Sequence, residues 1–581
     1  LYFDNQNWQL AADNYKKAIT AVELSRSWAT TDDRRQEILK ENINIYNKAI
    51  QAYIHLKKLE QALEIAERSQ ARNLVQLLTN RDLVPQDNVP PEITQQLQQQ
   101  QKEIRVNKGE LEKVRKQLSQ QNTEEKTSLE KSEKQLNEEL QKLRQQLEKT
   151  FNQIQEYDPT FRLTQEVQPI AFREIQQLAT EQQTAIIEWY IMGEKFLAFI
   201  LVPPTSTATS ELFMWQSTED DSKNLEEWVK EYLEKYYELQ EAELENQEKA
   251  KKLQQEWETK ITTRLEKLGE ILHIKEILQP ILESECQRLT LIPHSFLHFL
   301  PLHILPINNP ENSQENPEKK YLQDYFNQGV SYAPSCQILQ KVRERKNQEF
   351  QSLFAIQNLN DTENSPHLGI ISIIKKQFNN VEIIPKNQAT KSALINHPKL
   401  SLANSILFFC HGVFNPTYPL DSGLILADEK LTLGDIIQNL NLSKCRLVTL
   451  AACETGLTDI FNQEYVGLPS GFLLAGSTNI IASLWSVRVD ATALLMLRLY
   501  QELKKYDNII IALKTAQNWL RDIKVQELKE WVRKSPLKIK IHWQEELEKT
   551  FTKMENLEGV NCKPYNSPYF WAGFCVVGKG E

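Results

Sequence analysis

Two short motifs could do chemistry together: His411-Gly412 and Ala452-Cys453-Glu454, whose His and Cys stand 42 positions apart. A thiol that cleaves an amide needs a thiolate, a base to hold the proton, and donors for the tetrahedral oxyanion. Cys453 can supply the nucleophile once a neighbouring imidazole or a following helix N-terminus lowers its pKa. His411 can take the proton and later deliver it to the leaving amine. The N–H of Gly412, unobstructed by a side chain, and the N–H of Cys453 itself could form the oxyanion hole. Gly456 would let the chain turn sharply behind the nucleophile.

Apolar runs must position this pair. Ser405–Cys410 (SILFFC) leads into His411, and Arg446–Ala451 (RLVTLA) leads into the Cys motif. Such runs read as strands buried on both faces, and their carboxyl ends open where α/β sheets place ligands. The plainer reading is that a Cys ending a buried strand packs in the core and a His-Gly pair merely turns. Cys410 follows the plainer reading, because strand alternation points it away from the face of His411.

Around these motifs the chain is long and polar. Its 581 residues exceed one core and imply two to four domains. Mean hydropathy of -0.51, with abundant Gln, Glu and Lys, points to long solvated helices. A net charge of -10 disfavours nucleic acid as a partner. No apolar run approaches the ~20 residues that cross a bilayer. The chain opens on Leu1 rather than Met, which suggests a fragment of a longer helical region. Seven scattered cysteines without a CxxC pair give neither a zinc site nor a disulfide framework, so a reduced, cytoplasmic protein with Cys453 as a free thiol is expected. His294, His298 and His303 lack acid or Cys ligands and suit packing, so no metal is expected. No glycine-rich phosphate loop occurs, and no cofactor is expected.

Residues 1–80 read as helical. Ala11, Tyr15 and Ala18, then Tyr46, Tyr53, Ala62, Ala66 and Ser69, match the small-and-aromatic spacing of tetratricopeptide repeats. After Pro85 to Pro91, the chain from Glu92 to about Tyr157 is almost all Gln, Glu, Lys and Leu. Leu136, Leu140, Leu143 and Leu147 keep heptad spacing, as expected of a helical hairpin or coiled coil. Ala185–Ile191 and Phe196–Val202 form a predicted hairpin turning at Gly193-Glu194. Residues 222–283 return to amphipathic helix, with Leu225, Trp228, Val229, Tyr232 and Leu233 on one face. From Leu289 onward strand signals alternate with helix: Leu289–Ile292, Leu353–Ile356, Ser405–Cys410, Arg446–Ala451 and Asn479–Trp485. That alternation predicts a mainly parallel, doubly wound sheet. Tyr569–Gly578 reads as a last buried strand, and Thr390-Lys391-Ser392 as a helix start.

Several ordered motifs resemble one family. These are SILFFCHG (405–412), LAACETG (450–456), EYVGL (464–468), FLLAG (472–476) and ASLW (482–485), with LIP (291–293), LPL (300–302), YAPS (332–335) and PYFWA (568–572). Together they look like the CHAT domain, a caspase-like peptidase domain associated with tetratricopeptide repeats, in the clan that includes caspases and separases. Caspases share the order of the pair, His roughly 50 residues upstream of a Cys in an Ala-Cys context. The resemblance covers roughly residues 170–580. It implies a caspase-like α/β sheet preceded by a degenerate half, a His411/Cys453 dyad, and an oxyanion hole that includes Gly412. Relatives usually show Val-x-Asp before an Ala-Thr pair, whereas this chain has Val487-Arg488-Val489-Asp490-Ala491-Thr492. On a strand that one-residue displacement would reverse the acid's face. Asp490 could still serve a basic P1 pocket from a loop, or cap the helix ahead of Ala491. Asp421 and Asp435 are further candidates for such a pocket, with capping or a solvated turn as their plainer roles.

The fold expected is therefore an α/β caspase-like sheet domain preceded by all-α tetratricopeptide-like repeats and a long helical hairpin. The expected divisions are repeats at 1–80, the charged hairpin at 81–165, an N-terminal pseudo-caspase half at 166–285, and the catalytic half at 286–581. The leading function is an intracellular cysteine endopeptidase acting on protein substrates, regulated by a protein partner on the repeats. A catalytically silent scaffold is the main rival, and acyl transfer on a small molecule a weaker one.

Overall fold

The computed structural model describes residues 2–28, 32–70, 89–120, 126–157, 169–204, 210–284, 286–307, 321–346, 348–358, 370–415, 419–451, 467–534 and 541–581. Three helices come first: α1 (Trp8–Trp28), α2 (Asp32–His55) and α3 (Leu59–Ser69). Their small and aromatic residues face inward, with Ala11, Tyr46, Tyr53, Ala62, Ala66 and Ser69 all buried. Two long helices follow, α4 (Pro91–Gln120) and α5 (Lys126–Tyr157), and pack along each other. Leu140 and Leu143 are buried there, and Thr150 donates to Gln100 at 2.8 Å.

The α/β body begins with α6 (Phe172–Gln182), β1 (Thr184–Ile191), β2 (Phe196–Val202) and β3 (Glu211–Gln216). β1 and β2 pair antiparallel, and Gly193 turns between them at φ +67. Helices α7 (Glu219–Glu245), α8 (Gln247–Ile271) and α9 (Ile274–Glu283) intervene before β4 (Arg288–Ile292) and β5 (Val330–Tyr332). Leu225, Trp228, Val229 and Tyr232 of α7 are buried, as their helical spacing requires. Next come α10 (Cys336–Arg343), β6 (Ser352–Asn358), α11 (Ile370–Ile374), β7 (Asn380–Ile384), α12 (Lys391–Ile395) and β8 (Ser405–Cys410). Thr390 caps α12, its hydroxyl accepting Ala393 N–H at 3.2 Å.

A small antiparallel sheet follows: β9 (Gly412–Val413), β10 (Gly423–Ile425) and β11 (Lys430–Thr432), leading into α13 (Leu433–Asn439). The strands approach so closely that a Cβ on Gly423 would run into the Leu431 carbonyl. The large sheet resumes with β12 (Leu447–Ala451), then α14 (Leu468–Ala475) and β13 (Asn479–Ser483). Helices α15 (Val489–Leu503), α16 (Ile509–Asp522), α17 (Val525–Lys534), α18 (Ile541–Glu558) and α19 (Pro568–Trp571) precede the last strand, β14 (Phe574–Gly578).

Eleven strands form one sheet in the order β3-β2-β1-β4-β5-β14-β13-β12-β8-β6-β7. Pairing is parallel from β13 through β12, β8 and β6 to β7, and again from β1 through β4 and β5 to β14. The two blocks meet where β14 runs antiparallel to β13. The carboxyl ends of β8, β12 and β13 therefore share one edge, and those of β1, β4 and β5 lie at the opposite edge. Each central strand is buried on both faces, as its unbroken apolar run demanded.

One reading is corrected. The stretch expected as a single strand from Tyr569 starts as a helical turn, and the strand covers only Phe574–Gly578. Pro568 occupies the first turn, where its fixed φ and missing N–H suit a helix start. Among the described residues no helix is long and apolar enough to cross a membrane.

Candidate active site

β8 and β12 are adjacent and parallel, with Leu447 opposite Ser405 and Ala451 opposite Phe409 throughout a constant offset of 42 positions. His411 leaves the end of β8 with an exposed side chain, and its carbonyl accepts Ile425 N–H at 2.8 Å. That bond and the pairing of Gly412 with Leu424 anchor the backbone at 411–412 to the small sheet. Cys410, one residue earlier, is buried in the core on the other face. Cys453 and Gly456 lie outside the described residues.

Three other described thiols are ill suited to attack. Burial pushes Cys445 and Cys575 up to about 12. It also raises Cys336 well above its ordinary value, with Glu67 and Glu188 adding to the effect. Each is thereby held as the protonated thiol at neutral pH.

The segment that follows β13 reaches the same edge of the sheet. Leu484 N–H bonds the Gly573 carbonyl at 2.7 Å, and the indole of the fully buried Trp485 donates to the Tyr569 carbonyl at 3.1 Å. The Ser-Leu-Trp and Pro-Tyr-Phe-Trp motifs are thus two sides of one joint. Gly573 sits tightly there, since a Cβ would lie 3.0 Å from Trp485 Nε1. From above, Tyr236 of α7 accepts Ser486 N–H at 3.0 Å.

The three acids considered for a basic pocket are separated and engaged. Asp490 sits in the first turn of α15, not on a strand, so the one-residue displacement reverses no strand face. It is not the cap of that helix either, a position held by Arg488. Its carboxylate is gripped by Arg488, Nε to Oδ1 at 3.0 Å and Nη2 to Oδ2 at 2.7 Å, and Tyr565 donates to it at 3.2 Å. Asp435 closes a capping box with Thr432 and receives Lys391 Nζ at 2.8 Å. Asp421 is half-buried in the 3-10 turn Pro419–Asp421. Asp421 and Asp435 flank the small sheet, where Leu433 N–H joins the Ser422 carbonyl at 2.7 Å.

The three histidines of the 294–303 stretch are packed. Burial holds His294 and His303 down at about 3 and His298 well below its usual value. His294 Nδ1 accepts Ile191 N–H at 3.1 Å, and His303 Nδ1 meets the Tyr332 hydroxyl at 2.9 Å.

A second constellation escaped the sequence reading. Glu67 of α3, Glu188 of β1 and Cys336 of α10 are all buried, with potential ligand atoms within 4.8 Å of one another. Both carboxyls already accept hydrogen bonds: Glu67 accepts Cys336 N–H at 2.6 Å and Gln337 N–H at 3.2 Å, and Glu188 accepts Gln70 at 3.2 Å. Burial raises both carboxyls, and the nearby Glu67 charge drives Glu188 higher still, so the pair holds a proton rather than two charges. The signal was there in Glu188, an acid inside an otherwise apolar strand.

A family model for the CHAT domain matches residues 262–579. Two crystal structures of the Saccharomyces cerevisiae separase–securin complex are among the structural matches. The one at 3.0 Å shares 11% identity with a TM-score of 0.41 and covers 87% of this chain and 47% of that one. The one at 2.6 Å shares 9% identity, also with a TM-score of 0.41, and covers 86% and 46%. The chain thus spans about half the length of these separase structures. Among curated proteins there is no match.

Proposed function

The chain belongs to the CHAT domain family, and from that premise we propose that it is a cysteine endopeptidase acting on protein substrates through His411 and Cys453. The observation that carries this reading is the register of the sheet. Ala451 pairs with Phe409, an offset of 42 that is also the separation of Cys453 from His411. Neighbouring strands run about 4.8 Å apart, which suits a base and a nucleophile serving one reacting carbon. An exposed imidazole at the end of a rigid buried strand supports the role of His411.

In the proposed reaction the Cys453 thiolate attacks the scissile carbonyl carbon, and the carbonyl's electron pair moves to oxygen. The N–H groups of Gly412 and Cys453 receive that oxyanion. Collapse breaks the C–N bond as the His411 imidazolium protonates the departing amine. Water, deprotonated by the now neutral His411, attacks the thioester and releases the acid and the thiol. A protein partner at helices α1–α3 is the proposed regulator. The test is incubation with a denatured proteome digest and sequencing of new amino termini. Cleavage at a shared P1 residue, absent in Cys453→Ala, is expected. Identical termini with both proteins would favour the scaffold.

A further inference from the structure

The small sheet ends on β9, and two hydrogen bonds fix which way each main-chain group of that strand points. The His411 carbonyl accepts Ile425 N–H at 2.8 Å, and Asn415 N–H donates to the Ser422 hydroxyl at 2.9 Å. Both bonds run toward the β10 side. In an antiparallel ladder successive residues alternate, one turning its N–H and C=O to the partner and the next turning them away. Val413, opposite Gly423, therefore faces β10, while Gly412, opposite Leu424, belongs to the pair that exchanges no bonds. Gly412 and Phe414 turn their N–H and C=O outward. The strand order β11-β10-β9 places no strand on that side among the described residues.

This outward edge begins at the residue beside His411. A chain whose carbonyl lies at the Gly412 N–H meets the next outward groups at Phe414, about 7 Å along the strand. Donor and acceptor repeating at that interval match the main chain of another extended segment. Gly412-Val413-Phe414 carries no charged residue and no Pro, devices that elsewhere keep an exposed edge from pairing. Val413 is 40% exposed and offers an apolar contact beside the main chain. Phe414 is held from behind by Phe299, ring centroids 5.9 Å apart. β9 spans two residues, so the edge seats a short stretch of chain and not an open-ended sheet.

We propose that the outer edge of β9 docks the substrate's main chain, an extended segment adding as a fourth strand on Gly412 and Phe414 next to the scissile bond. This rests on the reading of His411 and Gly412 as part of a peptidase site. Recognition there runs through the backbone, so the substrate class is polypeptide with an unfolded or looped-out segment. Side-chain identity matters at this edge chiefly against Val413.

The probe is fluorescein-labelled, reduced and carboxymethylated casein, an unfolded chain. Its binding to the Cys453→Ala protein is read by fluorescence anisotropy, with Phe414→Pro and Phe414→Ala compared in that background. Both lose the ring, but only Pro removes the outward N–H, and its fixed φ is tolerated on an edge strand. The docking edge predicts casein binding weaker by about fivefold in Phe414→Pro than in Phe414→Ala. Equal binding by the two, or no casein binding at all, overturns it. Should Phe414→Pro fail to fold, residue-resolved hydrogen exchange in the Cys453→Ala protein decides: casein must slow exchange at the Gly412 and Phe414 amides more than at Val413. Slowing at those amides that instead grows with protein concentration, without casein, would make a second copy the occupant and overturn the proposal. Casein bound in this way but left uncut by the parent chain would strike the peptidase reading while the docking edge stands.

Discussion

Arg488 holds Asp490 in a two-pronged ion pair, with its guanidinium centred 5.2 Å from the Phe570 ring. The acid nearest the end of β13 is therefore neutralised from within. Arg488→Ala should free that carboxylate and shift reaction of Cys453 toward peptide electrophiles with a basic P1 by about tenfold, or ~1.4 kcal/mol. Asp490→Asn should leave P1 preference nearly unchanged. A strong loss of basic-P1 labelling in Asp490→Asn would show that the carboxylate already reads substrate in the parent chain.

The Tyr236 hydroxyl is the acceptor for Ser486 N–H. Tyr236→Phe removes the acceptor and little volume, so denaturant unfolding should show a loss of about 0.5–1.5 kcal/mol, with faster exchange at the Ser486 amide. Unchanged exchange at Ser486 would mean that the bond does not anchor the segment after β13.

The carboxyl pair Glu67 and Glu188 predicts a pH dependence. Both have raised values in the folded chain, so the native state binds a proton that the unfolded chain releases at about pH 4.5. The resulting stability is complete below that value and is lost as pH rises through the raised one. Glu188→Gln keeps the neutral hydrogen-bonding form, so its melting temperature should overtake that of the parent chain progressively as pH rises above 4.5. Cys336 and Tyr190 beside the pair are themselves pushed up and stay neutral across that window. On the acid side, His294 and His303 resist protonation until about pH 3, so stability should fall as pH drops below about 6.5 in both proteins. Parallel curves for the two proteins above pH 4.5 would remove the shared proton from the account.

Cys410 adjoins His411 in sequence yet packs in the core. Cys410→Ala should cost about 1 kcal/mol through the small cavity and leave Cys453 labelling intact. Lost labelling in a folded Cys410→Ala protein would assign the reactive thiol to the wrong residue.

The fold was legible where burial is two-sided. Ser405–Cys410 and Phe196–Val202 are strands with the bounds their apolar runs gave, because nothing polar interrupts the alternation of neighbours above and below. Short strands escaped: β5 spans three residues, and the strands of the small sheet two or three, too few for any period to show. Tyr569–Trp571 misled because aromatic residues suit a strand, while Pro568 and the packing of Trp571 made a turn of helix. In the candidate site, the positions of His411 and Gly412 at the end of a buried strand could be read from sequence. The partners of Asp490 could not: Tyr565 is 75 residues away in sequence, and nothing local announces it. The Glu67–Cys336 contact spans 269 residues and was equally silent.

The central claim is most directly tested by covalent labelling of Cys453 with a panel of peptide electrophiles that differ at P1. The parent chain, His411→Ala and Cys453→Ala are compared, with candidate partners of α1–α3 present and absent. The account predicts labelling that selects among P1 residues and disappears in both variants. Labelling of Cys453 that persists undiminished in His411→Ala, or none under any condition, would contradict it.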